Sequence, residues 1–210
     1  MPRQSLYTEL TKVVPMRHEF SEGDLAFRFT SHRLCLDFLS TIGEVGHRDI
    51  ERIGTPTSYS RWIAASGILD REPLVSVTDV EDAVEFRRIL RSFFSDVTAE
   101  IRPPANVIRA INDTSRRPIP WMELADDGYT VSRRAVAPAQ AALASVARDA
   151  LLLVSEGLLP RVKQCNDPTC NMFFLDNSRG NNRIWCSTEG RGCGNKAKKR
   201  AFRKRHSEPS

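Results

Sequence analysis

Four of the five cysteines of this 210-residue chain fall between positions 165 and 193, and no other feature limits the fold as tightly. Cys165 and Cys170 are separated by four residues, Cys186 and Cys193 by six, and fifteen residues lie between the pairs. Tetrahedral zinc needs four soft or borderline ligands that converge on one point, and two short turns that each present two thiolates achieve this without a large core. The spacing therefore predicts a zinc ribbon with Cys165, Cys170, Cys186 and Cys193 as ligands to one structural ion. Two alternatives stay open. Paired disulfides need an oxidising compartment, against which Met1 to Phe20 scatters Glu9, Lys12, Arg17 and Glu19 and holds no apolar run of signal-peptide length. Iron–sulfur ligation also uses thiolates, but its usual motifs set cysteines closer together.

The residues around the cysteines suit a metal knuckle. Asp167-Pro168 is turn chemistry, and Gly192 and Gly194 beside Cys193 allow the backbone to bend close to a thiolate. Phe173 to Leu175 reads as a strand, with Ile184-Trp185 as its expected partner and Ser178 to Asn182 as the turn between them. Trp185 is expected to be an apolar lid on the ribbon.

A basic run follows at once. Asn195 is the expected N-cap of a helix over Lys196 to Arg205, with Ala197, Ala201 and Phe202 toward the ribbon and Lys196, Lys199, Arg200, Arg203 and Lys204 outward. From Pro160 onward the net charge is +8, whereas the whole chain carries +5, so the positive charge is concentrated in this module. Such a face attracts phosphates, the sequence-independent part of nucleic-acid affinity. Arg179, Asn181, Asn182, Arg183 and Arg191 are the candidates for reading bases, being short or planar donors.

These residues resemble the CGNR zinc-finger proteins. The resemblance rests on Cys165, Cys170, Phe173, Phe174, Asp176, Ser178, Trp185, Cys186, Cys193, Gly194 and Asn195. The family's arginine is replaced by Lys196, which keeps the charge and loses the planar fork, and the loop from Cys186 to Cys193 is longer than usual.

Upstream, Leu34 to Ile42 is apolar at nearly every position except Asp37, which predicts a buried helix with Cys35 as a small hydrophobe and Asp37 as a hydrogen-bonded cap or ion-pair partner. The segment Leu34 to Thr41 resembles the opening motif of the ABATE domain, whose family is associated with stress-induced transcription regulation. Leu25 to Thr30 reads as a strand. Thr55-Pro56 starts a helix with Tyr59, Trp62 and Ile63 inward. Ser76 to Thr98 is a longer helix, with Thr78 and Glu81 as its capping box, Val80, Val84, Ile89, Phe93 and Val97 near one stripe, and Arg87, Arg88 and Arg91 on a solvated face paired to Glu81 and Glu85. A short helix follows Pro103-Pro104. Asp127-Gly128 marks a hairpin, and Pro138 opens a long buried helix. The expected fold class is α+β: a mainly α-helical N-terminal domain with a small β hairpin over residues 1–159, then the zinc ribbon and basic helix over 160–210. Only the former is expected to have an apolar core of its own, so that zinc loss would disorder the ribbon alone.

Three functions are open to such a chain. The first is a DNA-binding transcription regulator of the cytoplasm, whose partner is double-stranded DNA and whose N-terminal domain senses an unknown small-molecule ligand or forms a homo-oligomer. The second is an RNA- or ribosome-associated ribbon protein. The third, an enzyme, is disfavoured. Four cysteines close the zinc shell, His18, His32, His47 and His206 form no metal pair, and no phosphate loop or nucleophile elbow is present, so no catalytic residue is expected. No apolar run reaches the roughly 20 residues of a membrane span.

Overall fold

The computed structural model describes residues 20–188 and 192–207. The base-reading candidate Arg191 and His18 lie outside them. Within them the α+β expectation holds, in the order α1 (Glu22–Leu25), α2 (Leu34–Leu39), β1 (Ile42–Gly43), β2 (Ile50–Glu51), α3 (Pro56–Ala65), α4 (Val77–Thr98), α5 (Ala105–Ser115), β3 (Trp121–Leu124), β4 (Val131–Arg134), α6 (Pro138–Ser155), β5 (Val162–Gln164), β6 (Phe173–Leu175) and α7 (Cys193–Ser207). The strands form three antiparallel pairs, β1–β2, β3–β4 and β5–β6.

The core is built on α6, which buries Ala139, Ala142, Leu143, Val146, Ala147, Ala150 and Leu153. Its alanines leave room for α2, α4 and α5 to pack close against it. Tyr59 and Trp62 of α3 stack with ring centres 6.3 Å apart, and the Tyr59 hydroxyl donates to the Ala139 carbonyl at 3.1 Å. Asp37 is hydrogen-bonded, as expected, but caps no helix end: from within α2 it accepts the Ser31 amide at 3.0 Å and the Ser31 hydroxyl at 2.8 Å. Burial nevertheless raises its pKa. The Asp127-Gly128 turn is as expected, with Gly128 at φ +72° and Asp127 accepting the amides of Tyr129 and Thr130.

Several expectations are corrected. Leu25 to Thr30 is not a strand: Ser21 and Asp24 form a capping box that winds Glu22–Leu25 into a helical turn. Ser76 and Asp79, not Thr78 and Glu81, cap α4, because the S-V-T-D-V-E segment offers the same capping spacing twice and the earlier pair takes the end. The buried stripe of α4 is correspondingly turned to Val80, Ala83, Phe86, Arg87, Leu90 and Phe94, while Val84 is left exposed. Arg88 does pair with Glu85 on the surface. Arg87 is instead buried, held by Glu51 and by the Thr41 hydroxyl at 2.8 Å, and Arg91 donates to the Asn171 carbonyl at 2.6 Å.

The largest correction is to strand pairing. Phe173–Leu175 pairs with Val162–Gln164, not with Ile184-Trp185. The first cysteine loop is thus the turn of its own hairpin. The period of two then places the residues of β6 on two cores. Phe173 and Leu175, with Val162, join the main core, where Phe173 meets Phe94 at 6.0 Å, while Phe174 faces the cysteines. The ribbon is therefore seated on the N-terminal domain through a shared core.

Candidate metal centre and nucleic-acid interface

The hairpin delivers the first two thiols. The Cys165 amide donates to the Met172 carbonyl at 2.8 Å, and the Cys170 amide to the Asp167 carbonyl at 2.9 Å, which closes the loop. Ile184 returns beside it, its carbonyl accepting the Asn166 amide at 2.9 Å. All four sulfurs of Cys165, Cys170, Cys186 and Cys193 lie within 4.8 Å of one another, and Cys186 is 3.7 Å from both Cys170 and Cys193. A tetrahedron of Zn–S bonds of about 2.3 Å has sulfur–sulfur edges of about 3.8 Å, so the donors fit one structural zinc in type and spacing. Four thiolates this close repel one another, and a divalent ion bound by all four relieves that repulsion.

Buried carboxylates brace the frame. Asp176 is fully buried and accepts the Ser178 amide at 2.9 Å, the Arg183 amide at 2.8 Å and the Lys163 ammonium at 2.9 Å. Burial alone would raise its pKa, but hydrogen bonds from Ser178 and Lys163 drive it well below the usual range. Asp167 is held by Thr169 and by Arg200 of α7 at 2.8 Å.

The two glycines beside Cys193 have different work. Gly192 supplies the carbonyl that accepts the Lys196 amide at 3.0 Å. At Gly194 a Cβ would lie 2.8 Å from Thr188 Cγ2 and 3.2 Å from Trp185 Cδ1, so the helix can reach the lid only where there is no side chain. Trp185 packs on the cysteine cluster as expected. The helix starts earlier than the sequence suggests: Cys193 is its first residue, and Asn195 lies inside the first turn instead of capping it. A zinc ligand is therefore part of the helix.

Of the predicted nucleic-acid residues, Arg179, Lys196, Lys199, Arg200, Arg203 and Lys204 are exposed. Arg200 is also committed to Asp167. Arg183 is occupied: its guanidinium donates to the Cys186 carbonyl at 3.0 Å and lies 5.3 Å above the Phe174 ring, which makes it a brace of the second cysteine loop. Asn181 is likewise engaged, donating to the Pro160 carbonyl at 3.3 Å. Ala201 and Phe202 do not face the ribbon, because α7 runs beyond it. Phe202 is exposed and stacks on His206 at 4.0 Å, four residues on. Lys198 and Arg205, not singled out from the sequence, join Lys199, Phe202 and Arg203 around a shallow recess. Their exposure follows from the projecting helix, which no local pattern announces.

Comparison with known families agrees with this architecture. Residues 32–157 match ABATE, described as "Putative stress-induced transcription regulator", and residues 161–206 match the CGNR zinc finger. No curated protein matches the chain. The chain belongs to the ABATE family, with a CGNR zinc finger following in the same chain.

Proposed function

We propose, with membership of this regulator family as the premise, that the protein is a non-enzymatic, cytoplasmic transcription regulator whose α7 binds double-stranded DNA. The zinc held by Cys165, Cys170, Cys186 and Cys193 acts only as a scaffold, because four thiolates leave no coordination position for a substrate or water. The observation that carries the reading is the row of exposed cations Lys196, Lys199, Arg203 and Lys204 on a helix whose first residue is a metal ligand. Fixing one end of the helix presents these charges without the ordering cost of a free tail. Arg179, on the turn after β6, is a further exposed cation.

The N-terminal domain supplies the signal, through a ligand or through self-association. A groove of about 250 Å³ between α4, α5 and α6, lined by Phe93, Val97, Ile108, Ile111, Leu151 and Val154, suits a small apolar ligand.

One observation favours a second reading. The exposed Phe202–His206 stack offers a flat surface for unpaired bases, as in RNA binding. Crosslinking in cells, followed by sequencing of both bound DNA and bound RNA, separates the two. Recovery of promoter DNA is the expected result; ribosomal RNA without promoter DNA sinks the regulator reading. Among the described residues no helix is long and apolar enough to cross a membrane.

A further inference from the structure

Arg52 follows β2 and is only 3% exposed. Its Nη1 donates to the Ser40 carbonyl at 3.0 Å, whereas Nε and Nη2 are buried with no hydrogen-bond partner in the protein. The position is specifically accommodated. A Cβ on Gly43 would lie 2.6 Å from Nη1 and 2.7 Å from Nη2, so only glycine lets the guanidinium lie flat on that backbone. The neighbouring carboxylates are taken: Glu44 is bound by Arg48, and Glu51 by Arg87. Burial, and then the nearby charge of Arg28, lowers the Arg52 pKa to about 10, although Asp24, Glu51 and Glu44 act in the opposite sense without bonding it. A buried cation beside like charge requires an anion.

The anion is at hand across a small gap. Arg52 lines a cavity of about 30 Å³ together with Arg28, Lys196, the metal-site residues Cys170 and Cys193, and Glu44, whose carboxylate is already bound by Arg48. That space admits a water or two and no larger ligand. On α4, Arg91 donates to the carbonyl of Asn171, next to Cys170, at 2.6 Å and lies 5.2 Å above the Phe173 ring. A zinc ion bound by four thiolates carries two net negative charges.

We infer that Arg28, Arg52 and Arg91 of the N-terminal domain, with Lys196, are the counter-ions of the zinc tetrathiolate, so that zinc occupancy and seating of the ribbon are one linked equilibrium. Without the zinc tetrathiolate the joint lacks that anion, and the like charges of Arg28 and Arg52 are left facing one small gap. By reciprocity, whatever unseats the joint weakens zinc binding by the same factor.

The test uses the full chain and zinc alone, read by competition with a chromophoric chelator, and so stands or falls independently of nucleic-acid binding. Arg52→Met is expected to weaken zinc affinity about 10-fold, the lower end for partners beyond the ligand shell, and Arg52→Lys to restore most of it, since a packing role would not be rescued by charge. Arg28 is exposed, so Arg28→Met carries the same test if Arg52→Met does not fold. Hydrogen exchange gives a second measure. The Arg52 amide, bonded to the Thr41 carbonyl at 2.9 Å, is expected to lose protection when zinc is chelated, while the amides of α6 keep theirs. Zinc affinity unchanged in both methionine variants, or an Arg52 amide indifferent to chelation, overturns the inference.

Discussion

The guanidinium of Arg200, on the basic helix, donates to the fully buried carboxylate of Asp167, in the first cysteine loop, at 2.8 Å. This ion pair ties α7 to the hairpin at a second point, seven residues beyond Cys193. Arg200→Ala leaves Asp167 with Thr169 alone. We expect a loss of about 1–2 kcal/mol of stability in the zinc-loaded protein, discounted because Arg200 is half-exposed. Arg203→Ala, at an exposed neighbour, should cost much less. Urea unfolding of the two variants checks this, and equal midpoints would show that the pair does not hold the helix.

Gly194 makes a sharper steric prediction. An alanine there must displace Thr188 or the Trp185 lid, so Gly194→Ala should destabilise by about 1–3 kcal/mol, as overpacking does elsewhere. On an exposed helical position the same substitution would stabilise. The sign of the change in melting temperature decides the matter.

How much of this was legible in the sequence depended on the range of each interaction. The cysteine spacing, the Asp127-Gly128 turn and the buried α6 are local patterns, and each was readable. The apolar run Phe173–Leu175 showed a strand but not its partner, because a local run of strand-forming residues says nothing of what lies beside it. Arg87 looked like surface because its partner, Glu51, is 36 residues away. Arg183 looked like a base-reading group and Arg200 like a phosphate ligand, because the places of their acceptors, the Cys186 carbonyl and Asp167, are set only once the knuckles have folded. Arg52 gave no signal, since its meaning rests on a glycine in another strand and cysteines more than a hundred residues on.

Asp24 predicts a pH response in the N-terminal domain. Hydrogen bonds from Arg48 first, and then Ser21, lower its pKa from 3.8 to about 2. A carboxylate whose pKa falls on folding contributes stability that is complete above its unfolded value and is lost as pH falls through the folded one. The contribution should therefore be present above pH 3.8 and vanish toward pH 2. Asp24→Asn should be less stable than the parent at neutral pH and should show a shallower loss over that acid range. Parallel pH dependences in urea unfolding would show that the Arg48 pair contributes nothing.

The final prediction concerns the exposed cations of α7. If Lys199 and Arg203 contact phosphates, duplex affinity falls with added salt, and each contact removed reduces the log–log slope by about 0.9. The choice of residues matters. Arg200 also braces the ribbon, so its removal mixes lost charge with a displaced helix, whereas Lys199 and Arg203 are exposed and line the open recess of the helix. The Lys199→Ala, Arg203→Ala double variant should therefore keep its zinc and its melting temperature, weaken all duplex sequences alike, and lower the slope by about 1.8. Discrimination between sequences, if present, should survive, because phosphate contacts position a protein without reading bases. Exposed Arg179 and Asn182 are the described residues left to do that reading, now that Arg183 and Asn181 are engaged within the ribbon. Fluorescence anisotropy at several salt concentrations measures both slope and discrimination, and an unchanged slope would remove α7 from the interface.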